Sequence, residues 1–271
     1  MALATRARML ALDAVHTAQS GHAGGSLSAL DILTVLYWNM LNIDPMDGKN
    51  PDRDRFVMSK GHCSPALYAT LALRGYFDPA ELKHFRHVKH HLSGHVEMRH
   101  VPGVDMSAGS LGQGLSAGVG MALAAKMDRK PYRTFVMMGD GELAEGQIWE
   151  AAMCAAHYKL DNLVGMVDVN GLQIDGTTCE VMNSAPLDEK FRAFGWHVLT
   201  VDGHDHAALN AAFRLAATLK GKPVAILCTT VKGKGVSFME NVVGWHGKAP
   251  SDAEFAQAMR ELQAQLDGLE V

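Results

Sequence analysis

Several short stretches of this sequence are apolar at nearly every position, and they constrain the fold more than any other feature. The run at 163–169 reads LVGMVDV, and the run at 223–230 reads PVAILCTT. A strand with one solvated face alternates apolar and polar residues, whereas a strand covered on both faces is apolar almost throughout. Further strands are predicted at 55–58, 133–138 and 196–201, with segments of helical length between successive strands. The pattern predicts an α/β fold in which a parallel sheet lies between two layers of helices.

Helices are predicted between these strands wherever apolar residues recur at helical spacing. The predicted ranges are 3–18, 28–40, 64–73, 112–127, 145–159, 187–194 and 205–219. A C-terminal amphipathic helix, 251–267, opens with Ser251 and Glu254 in the arrangement of a capping box. Its apolar face comprises Phe255, Met259, Leu262 and Leu266. Because 48% of the chain is apolar and 20% is charged, residues 1–271 can bury a large core and are predicted to form one domain.

Charge, cysteine content and the N-terminus exclude several classes of protein. The formal net charge of −4 gives no reason to expect nucleic acid or an anionic membrane as a partner. The four cysteines are widely spaced without a C-x-x-C pair, so reduced thiols in a cytoplasmic protein are predicted. The N-terminal segment carries Arg6 and Arg8 within its apolar stretch, which indicates a helix and not a signal peptide. No stretch reaches the ~18 consecutive apolar residues of a membrane span.

Two of the apolar runs end abruptly in a polar residue beside glycine. The run at 133–138 is followed by GDG, with Asp140 at its centre, and the run at 163–169 is followed by Asn170. With the helix at 145–159 between them, these strands form a predicted βαβ unit, whose strands are parallel. Asp140 and Asn170 are therefore expected at the same edge of the sheet, where open α/β sheets bind their ligands.

One carboxylate and one amide at this edge indicate a magnesium ion that also holds phosphate. Mg²⁺ takes about six oxygen ligands, of which phosphate groups supply several. Asp140 and Asn170 leave room for a polyanionic ligand, which a second acid would repel. The backbone carbonyl of Leu172 is a further candidate ligand, and the glycines beside Asp140 allow backbone to approach phosphates closely. The N-terminus of a helix starting near Glu145 could contribute through its dipole.

The same stretch also fits the dinucleotide-binding pattern G-x-G-x-x-A at residues 139–144. This pattern alone is a weak signal. A dinucleotide site without a metal would place Asp140 and Glu142 beside a pyrophosphate with nothing to neutralise them, so the metal-bridged diphosphate is favoured. An ordinary turn with solvated acids would explain the glycines but not Asn170.

GDG and Asn170 together resemble the thiamine diphosphate motif, and a wider set of motifs resembles the N-terminal region of the transketolase family. The motifs follow the family's order over roughly residues 6 to 250: SGHAGGSLSALDIL (20–33), RFVMSKGHCSPALYATL (55–71), SGHVEM (93–98), GSLGQGLSAGVGMALA (109–124) and GDGELAEGQIWEA (139–151). The resemblance implies the diphosphate-binding fold and thiamine diphosphate held by Mg²⁺, with Ca²⁺ or Mn²⁺ as substitutes. It also implies transfer of a two-carbon ketol unit from a ketose or ketose phosphate to an aldose or aldose phosphate.

Full-length transketolases continue into a second domain that carries the pyrimidine-binding half of the cofactor site. The resemblance is therefore to the N-terminal subunit of a split transketolase. It implies an enzyme that is active only with a C-terminal partner subunit, expected as an α2β2 heterotetramer.

The resemblance further implies roles for individual residues. The metal ligands would be Asp140, Asn170 and the carbonyl of Leu172. The cofactor contacts would be these three together with His62, Gly109, Ser110, Leu111, Gly139, Gly141 and Glu142. The family often has proline where Ser110 stands, so this turn is less rigid here.

The residues implied in catalysis are His22, His62, His95 and His246. Imidazoles can move protons on and off sugar hydroxyls and carbonyls near neutral pH. His246 resembles the histidine that precedes the family's Ala-Pro, although the better-known substrate histidine stands where this chain has Val243.

Several residues have more than one interpretation. Glu145 and Glu150 match acids at the family's subunit interface, but they also suit a solvated first helical turn. The segment HFRHVKHHLSGH (84–95) repeats histidine at three-residue spacing. Neither a cysteine nor a nearby acid completes a zinc set, so a loop that rims the active site is expected. Lys232 and Lys234 could face a substrate phosphate or remain solvated.

Two other functions compete with ketol transfer. The α subunit of a 2-oxoacid dehydrogenase shares the diphosphate motif, but it oxidises its substrate. A cofactor-binding regulatory subunit without catalysis is the alternative outside enzymes. The presence of His22, His62 and His95 argues against both. The sequence does not specify the sugar, which could be a pentose phosphate, a branched sugar or a sulfonated sugar.

Overall fold

A parallel sheet forms the centre of the computed structural model, which describes residues 1–269. The last two residues of the domain predicted at 1–271 lie outside the described part. The strands are β1 (Arg55–Met58), β2 (Thr134–Gly139), β3 (Leu163–Val169), β4 (Leu172–Gln173), β5 (Gly176–Thr177), β6 (His197–Asp202) and β7 (Val224–Thr229). Five of them form the main sheet in the order β1-β2-β3-β7-β6, and every pair in it is parallel.

Helices and short 3₁₀ segments connect the strands. The α-helices are α1 (Ala2–Thr17), α2 (Ala23–Val35), α3 (Ser64–Arg74), α4 (Gln113–Met127), α5 (Gly146–His157), α6 (Thr178–Val181), α7 (Leu187–Ala193), α8 (His206–Thr218) and α9 (Asp252–Asp267). The 3₁₀ segments are Pro45–Asp47, Gly61–Cys63, Pro79–His84, Gly141–Ala144 and Val243–Trp245, and a π-helical turn, Leu36–Met40, follows α2. The five strands and the parallel α/β fold predicted from the apolar runs are confirmed.

Both faces of β1, β2, β3 and β7 are buried, which explains why these strands are apolar at successive positions, whereas the edge strand β6 is partly exposed. In β2, Phe135 and Met137 enter a core that includes residues of α1, α2, α3 and α8. Val136 and Met138 point the other way, into a second core built with α4, α5 and α7. Side chains alternate between the faces of a strand, so two apolar cores require apolar residues at both odd and even positions.

The helix predicted at 28–40 begins earlier than its apolar pattern indicates. α2 starts at Ala23, so Gly24 and Gly25 lie within its first turn despite the poor helix propensity of glycine. A Cβ atom on Gly24 would lie 2.9 Å from the carbonyl oxygen of Trp245. The glycine therefore allows the helix to approach the segment around Trp245, a contact that local sequence cannot reveal.

The C-terminal helix packs against the N-terminal one. α9 carries the predicted capping box, in which the backbone N–H groups of Glu254 and Ser251 donate to the side chains of Ser251 and Glu254 respectively. The ring of Phe255 stacks on that of His16 in α1 at a centroid distance of 4.0 Å. The apolar face of α9 is thus buried against α1. Within residues 1–269, no helix is both long enough and apolar enough to cross a membrane.

A buried cluster around Asp31 joins α1, α2 and the start of α8. The Asp31 carboxylate forms an ion pair with Arg8. It also accepts hydrogen bonds from His204 Nδ1 at 2.7 Å and from His206 Nε2 at 2.8 Å. Burial opposes the charge of Asp31, but the bonds from the two histidines and the charge of Arg8 lower its pKa below the ordinary value of 3.8.

We expect the Asp31→Asn variant to lose about 3–5 kcal/mol of unfolding free energy, because it leaves the Arg8 charge buried without its partner. Because the pKa of Asp31 is lowered in the folded state, the difference in unfolding free energy between the native protein and the variant is fully present above about pH 4. This difference shrinks as the pH falls further. Urea unfolding at pH 7 and at lower pH measures both effects. Asp52→Asn is the control, because Asp52 pairs with Lys130 on the surface. Equal losses in the two variants would contradict the prediction.

Candidate functional site

A cavity of about 280 Å³ lies where the carboxyl ends of β1, β2, β3 and β7 meet the start of α2. It is lined by all but one of the predicted site residues: His22, His62, His95, Gly109, Leu111, Gly139, Asp140, Gly141, Glu142, Asn170, Leu172 and His246. The exception is Ser110, which is exposed on the turn before α4, so its contact with a cofactor stays a prediction. The strands and loops therefore converge on one site, as expected for an open α/β sheet.

Asp140 and Asn170 lie next to each other at the ends of β2 and β3. The N–H of Gly171 donates to Asp140 Oδ2 at 2.6 Å, which links the loops that follow the two strands. The N–H of Gly141 donates to Asp140 Oδ1 at 2.9 Å. Gly171 has a φ of +75°, a conformation that favours glycine. The Asn-Gly pair thus turns the chain sharply and keeps Asn170 beside Asp140.

The oxygen atoms of Asp140, Asn170 and Leu172 suit a hard divalent cation. Asp140 is 4% exposed, and its carboxylate is bonded to backbone N–H groups and not to a cationic side chain within residues 1–269. Burial raises the pKa of Asp140 to about 6, which indicates a charge in need of a counterion. Each of its oxygens accepts a single N–H, so lone pairs remain for a metal. Carboxylate, amide and carbonyl oxygens are the ligands that Mg²⁺ prefers.

Two buried nitrogen atoms on the cavity wall also indicate a ligand. Within residues 1–269, His22 Nδ1 and Gln173 Nε2 are inaccessible to solvent and have no hydrogen-bond partner. Both residues line the cavity. A buried polar atom without a partner costs free energy. A polar molecule in the cavity would satisfy such atoms.

Glu142 connects three loops at the base of the site. Its buried carboxylate accepts hydrogen bonds from the hydroxyl of Ser59 and from the N–H groups of Gly112, at 2.9 Å, and Gly139, at 3.1 Å. Burial raises its pKa, and the three donors compensate for part of that effect. Glu142 therefore fixes the loops relative to one another, in addition to any contact with a cofactor.

Lys60 lines the cavity and forms an ion pair with Asp168, and neither residue was predicted as part of the site. Lys60 is 2% exposed and Asp168 is fully buried. Asp168 also accepts hydrogen bonds from the hydroxyls of Ser28, at 2.6 Å, and Thr230, and from Asn170 Nδ2 at 3.3 Å. Burial opposes the charge of Lys60, but Asp168 raises its pKa above the ordinary value. The acid within the apolar run LVGMVDV was the sequence signal that could have identified this pair.

The four histidines predicted as catalytic form one cluster. The ring centroid of His22 lies 5.1 Å from that of His62, 5.8 Å from that of His95 and 5.4 Å from that of His246. The rings of His62 and His246 stack at 5.2 Å. His246, which departs from the family's better-known position, therefore belongs to the cluster and contacts both His22 and His62.

These imidazoles are weaker bases than free histidine. Burial, and then the charge of Arg86, lower the pKa of His22 to about 4. Burial and Lys232 lower the pKa of His246 to about 4. The pKa values of His62 and His95 are lowered as well, chiefly by burial. Burial therefore favours the neutral form of these imidazoles at pH 7, in which one ring nitrogen can accept a hydrogen bond or a proton.

The sequence does not decide between the possible roles of Lys232 and Lys234, and the structure gives the two lysines different environments. Lys232 lines the cavity, and its Nζ lies 2.8 Å from His246 Nδ1 and 3.3 Å from the carbonyl oxygen of Leu172. Burial, and then repulsion from Lys60, lower the pKa of Lys232 to about 8. Lys234 lies outside the cavity, 3.8 Å from Glu240. Lys232 is thus positioned to contact an anionic ligand, and Lys234 is not.

The dinucleotide pattern does not produce a dinucleotide turn. A 3₁₀ segment, Gly141–Ala144, begins at the last residue of GDG, and α5 begins only at Gly146. The described cavity lining includes Glu142 but no residue of α5, so the start of this helix does not face the cavity. Glu145 and Glu150 are exposed, and their location at a subunit interface stays a prediction.

The histidine-rich segment begins in the 3₁₀ segment Pro79–His84 and ends at His95 on the cavity wall. The prediction that no acid lies near these histidines was wrong. Glu81 Oε2 lies 3.7 Å from His90 Nε2 and 3.5 Å from His91 Nε2. Glu81 precedes the segment in which ligands were sought, and the turn of the chain brings it back to the histidines.

Comparison with known proteins points to one family. Residues 1–267 match the family described as "Transketolase, thiamine diphosphate binding domain". The chain is 45% identical over 259 residues to one subunit of the apulose-4-phosphate transketolase of Phocaeicola vulgatus, an alignment that covers 96% of this chain and 92% of that protein. It is 46% identical over 256 residues to the 6-deoxy-6-sulfo-D-fructose transketolase subunit SqwG of a Clostridium species, with 94% and 93% covered.

Solved structures share the fold as well as the sequence. A transketolase from Campylobacter jejuni superposes with a TM-score of 0.91 at 33% identity, over 96% of this chain and 42% of that one. The chain therefore spans about two fifths of the length of that transketolase, and nearly the whole length of the two relatives that are themselves subunits.

Proposed function

Because the chain belongs to the transketolase family, as a ketol-transfer subunit with the thiamine diphosphate-binding domain, we propose that it is active only together with a second polypeptide. That polypeptide would carry the pyrimidine-binding domain, and the proposed assembly is an α2β2 heterotetramer. The relatives that match along nearly their whole length are named as subunits, which supports a split enzyme. Neither the α subunit of a 2-oxoacid dehydrogenase nor a non-catalytic regulatory subunit is favoured.

The observation that carries the proposed function is the meeting of an oxygen-ligand set and a histidine cluster in one cavity. Asp140, Asn170 and the carbonyl of Leu172 would hold Mg²⁺, with Ca²⁺ or Mn²⁺ as substitutes, and through it a diphosphate. When bound, thiamine diphosphate supplies the electron sink that stabilises the carbanion formed in ketol transfer. The cavity, about 280 Å³, is slightly smaller than the ~300–1,000 Å³ of typical small-molecule sites, which supports completion of the site by a partner.

The histidine cluster would bind and orient the sugar. At pH 7 the neutral rings of His22, His62 and His246 can accept hydrogen bonds or protons from hydroxyl groups. His95 lies at the exposed edge of the cluster, where a substrate would enter. Lys232 adds a donor beside His246 and can favour an anionic group. These residues suit a ketose or aldose that carries a phosphate or sulfonate.

Reconstitution tests the proposed function directly. We expect the chain alone to show no ketol transfer, and the chain with its pyrimidine-domain partner to convert ketose and aldose pairs in the presence of thiamine diphosphate and Mg²⁺. A panel of pentose phosphates, branched sugar phosphates and sulfonated sugars identifies the substrate, and pyruvate with an electron acceptor tests the dehydrogenase alternative. Robust transfer by the single subunit would contradict the partner requirement.

The His95→Ala variant separates a catalytic subunit from a regulatory one in the same assay. We expect its turnover in the reconstituted pair to fall by about 10²-fold or more, in the range of a lost general acid–base or positioning group. His100→Ala is the matched control, because His100 is exposed and pairs with Glu97 away from the cavity. Unchanged turnover in His95→Ala would favour the regulatory interpretation.

A further inference from the structure

We propose that Glu81, His90 and His91 form a binding site for Zn²⁺ that is separate from the cofactor cavity. None of the three lines that cavity, and the proposal does not depend on the reaction. One oxygen or nitrogen atom from each residue lies within 4.8 Å of the others. The site joins the 3₁₀ segment Pro79–His84 to the loop that continues to His95.

Two of the three distances between the ligand atoms are close to those expected around a tetrahedral ion. Glu81 Oε2 lies 3.7 Å from His90 Nε2 and 3.5 Å from His91 Nε2. Ligands bonded to Zn²⁺ at about 2.1 Å are separated by about 3.4 Å along the edges of a tetrahedron. The three atoms are therefore close enough together for one ion, and rotation of the stacked rings of His90 and His91, whose centroids lie 4.3 Å apart, would direct both nitrogens to it.

The burial of the three side chains, and a nitrogen atom without a hydrogen-bond partner, also favour a bound ion. Each of the three is partly buried, with 22% of the His90 side chain, 24% of the His91 side chain and 35% of the Glu81 side chain exposed. Within residues 1–269, His91 Nε2 is inaccessible to solvent and has no hydrogen-bond partner, although it faces the Glu81 carboxylate. An ion between these two groups would provide that nitrogen with a partner, whereas direct contact at 3.5 Å does not.

The types of ligand select the metal. Two imidazoles and one carboxylate suit Zn²⁺ and other late transition metals, whereas Mg²⁺ prefers oxygen ligands alone. The fourth position is open to water or to His84, whose ring centroid lies 4.7 Å from that of His90. The proposed zinc site and the proposed magnesium site therefore differ in chemistry as well as in position.

A metal here would hold the loop that leads to the histidine cluster. The buried side chains of Phe85 and Leu92 anchor the loop at both ends. Between these anchors, Val88 and Lys89 are exposed. An ion bound by Glu81, His90 and His91 would join the second half of this loop to the 3₁₀ segment before it. We infer a structural role for the ion, which is to order the loop before His95.

Titration with zinc tests the site. The full chain, freed of metals and then supplied with Mg²⁺ and thiamine diphosphate to occupy the cavity, is titrated with Zn²⁺ by calorimetry. We expect one ion per chain, and an affinity at least tenfold weaker in Glu81→Gln and in His91→Asn. His100→Asn is the control, because it removes a histidine that also pairs with a glutamate on the surface. Unchanged stoichiometry and affinity in both site variants would overturn the proposal.

Proteolysis provides a readout of the loop itself. Trypsin can cleave after Lys89, which is exposed in the middle of the loop. We expect Zn²⁺ to slow this cleavage at least severalfold in the native chain and in His100→Asn, but not in His91→Asn. Equal protection in His91→Asn would assign the effect to another site, such as the histidine cluster in the cavity, and would overturn the proposal.

Discussion

Replacing Asp140 with alanine is expected to abolish Mg²⁺-dependent binding of thiamine diphosphate, with a loss of at least ~10²-fold in affinity. The estimate follows from the removal of a buried carboxylate that is proposed to coordinate the metal directly. The side chain is 4% exposed and its two oxygens link the loops after β2 and β3, so neighbouring residues cannot replace it. Titration of the reconstituted pair with the cofactor, followed by tryptophan fluorescence at fixed Mg²⁺, measures the change.

Two further variants identify the cause of this loss. Asp140→Asn keeps an oxygen that can accept the N–H of Gly141 or Gly171, but it removes the charge. If the charge is needed for the metal, this variant binds the cofactor nearly as poorly as Asp140→Ala while its thermal stability stays close to that of the native protein. Asp175→Ala removes an exposed acid at the tip of the neighbouring β4–β5 hairpin and is expected to bind normally. Tight binding by Asp140→Ala would mean that the metal lies elsewhere.

The parts of the fold that the sequence predicts are those set by local periodicity. Burial on both faces forces a strand to be apolar at odd and even positions, so the runs at 163–169 and 223–230 identified β3 and β7 within one residue at each end. The chain direction in a βαβ unit then placed Asp140 and Asn170 at one edge. These two steps need no knowledge of distant contacts.

The parts that could not be predicted depend on residues far apart in the chain. α2 begins at Ala23, and Gly24 in its first turn lies in close contact with the backbone of Trp245, more than two hundred residues away. The β4–β5 hairpin has two residues in each strand, too few for a period to be recognised. Glu81 was not considered with His90 and His91 because only the folded loop brings them together.

The histidines show a third situation, in which the residue was identified but its chemical state was not. Their proximity follows from the family's motifs, whereas their lowered pKa values follow from burial and from cationic neighbours. Arg86 lies in the histidine-rich loop and Lys232 follows β7, and both contribute to the lowered pKa of His22. The electrostatics of such a site is a property of several segments together, and no single motif encodes it.

The second large expected effect is a loss of stability when the ion pair of Lys60 and Asp168 is broken. Lys60→Met is expected to reduce the unfolding free energy by about 3–5 kcal/mol, because it leaves the Asp168 charge buried without a cation. In the double variant Lys60→Met/Asp168→Asn the charge is absent, and the amide oxygen can still accept a hydrogen bond from Ser28 or Thr230. The double variant should therefore be more stable than Lys60→Met, and urea unfolding of the four proteins in this cycle measures the coupling between the two positions.

The same cycle tests whether the pair serves the site as well as the fold. Asp168 accepts a hydrogen bond from Asn170 Nδ2 at 3.3 Å, which helps to fix the orientation of the amide. The amide oxygen accepts the N–H of Leu172 at 3.1 Å and keeps a second lone pair for the proposed metal. The double variant keeps the fold but weakens this orientation, so we expect it to bind thiamine diphosphate and Mg²⁺ less tightly than the native chain. Lys130→Met, which breaks the surface pair with Asp52, is the control for both measurements. A stability loss in Lys60→Met no larger than in Lys130→Met would contradict the buried-charge argument, and native cofactor affinity in the double variant would restrict the role of the pair to folding.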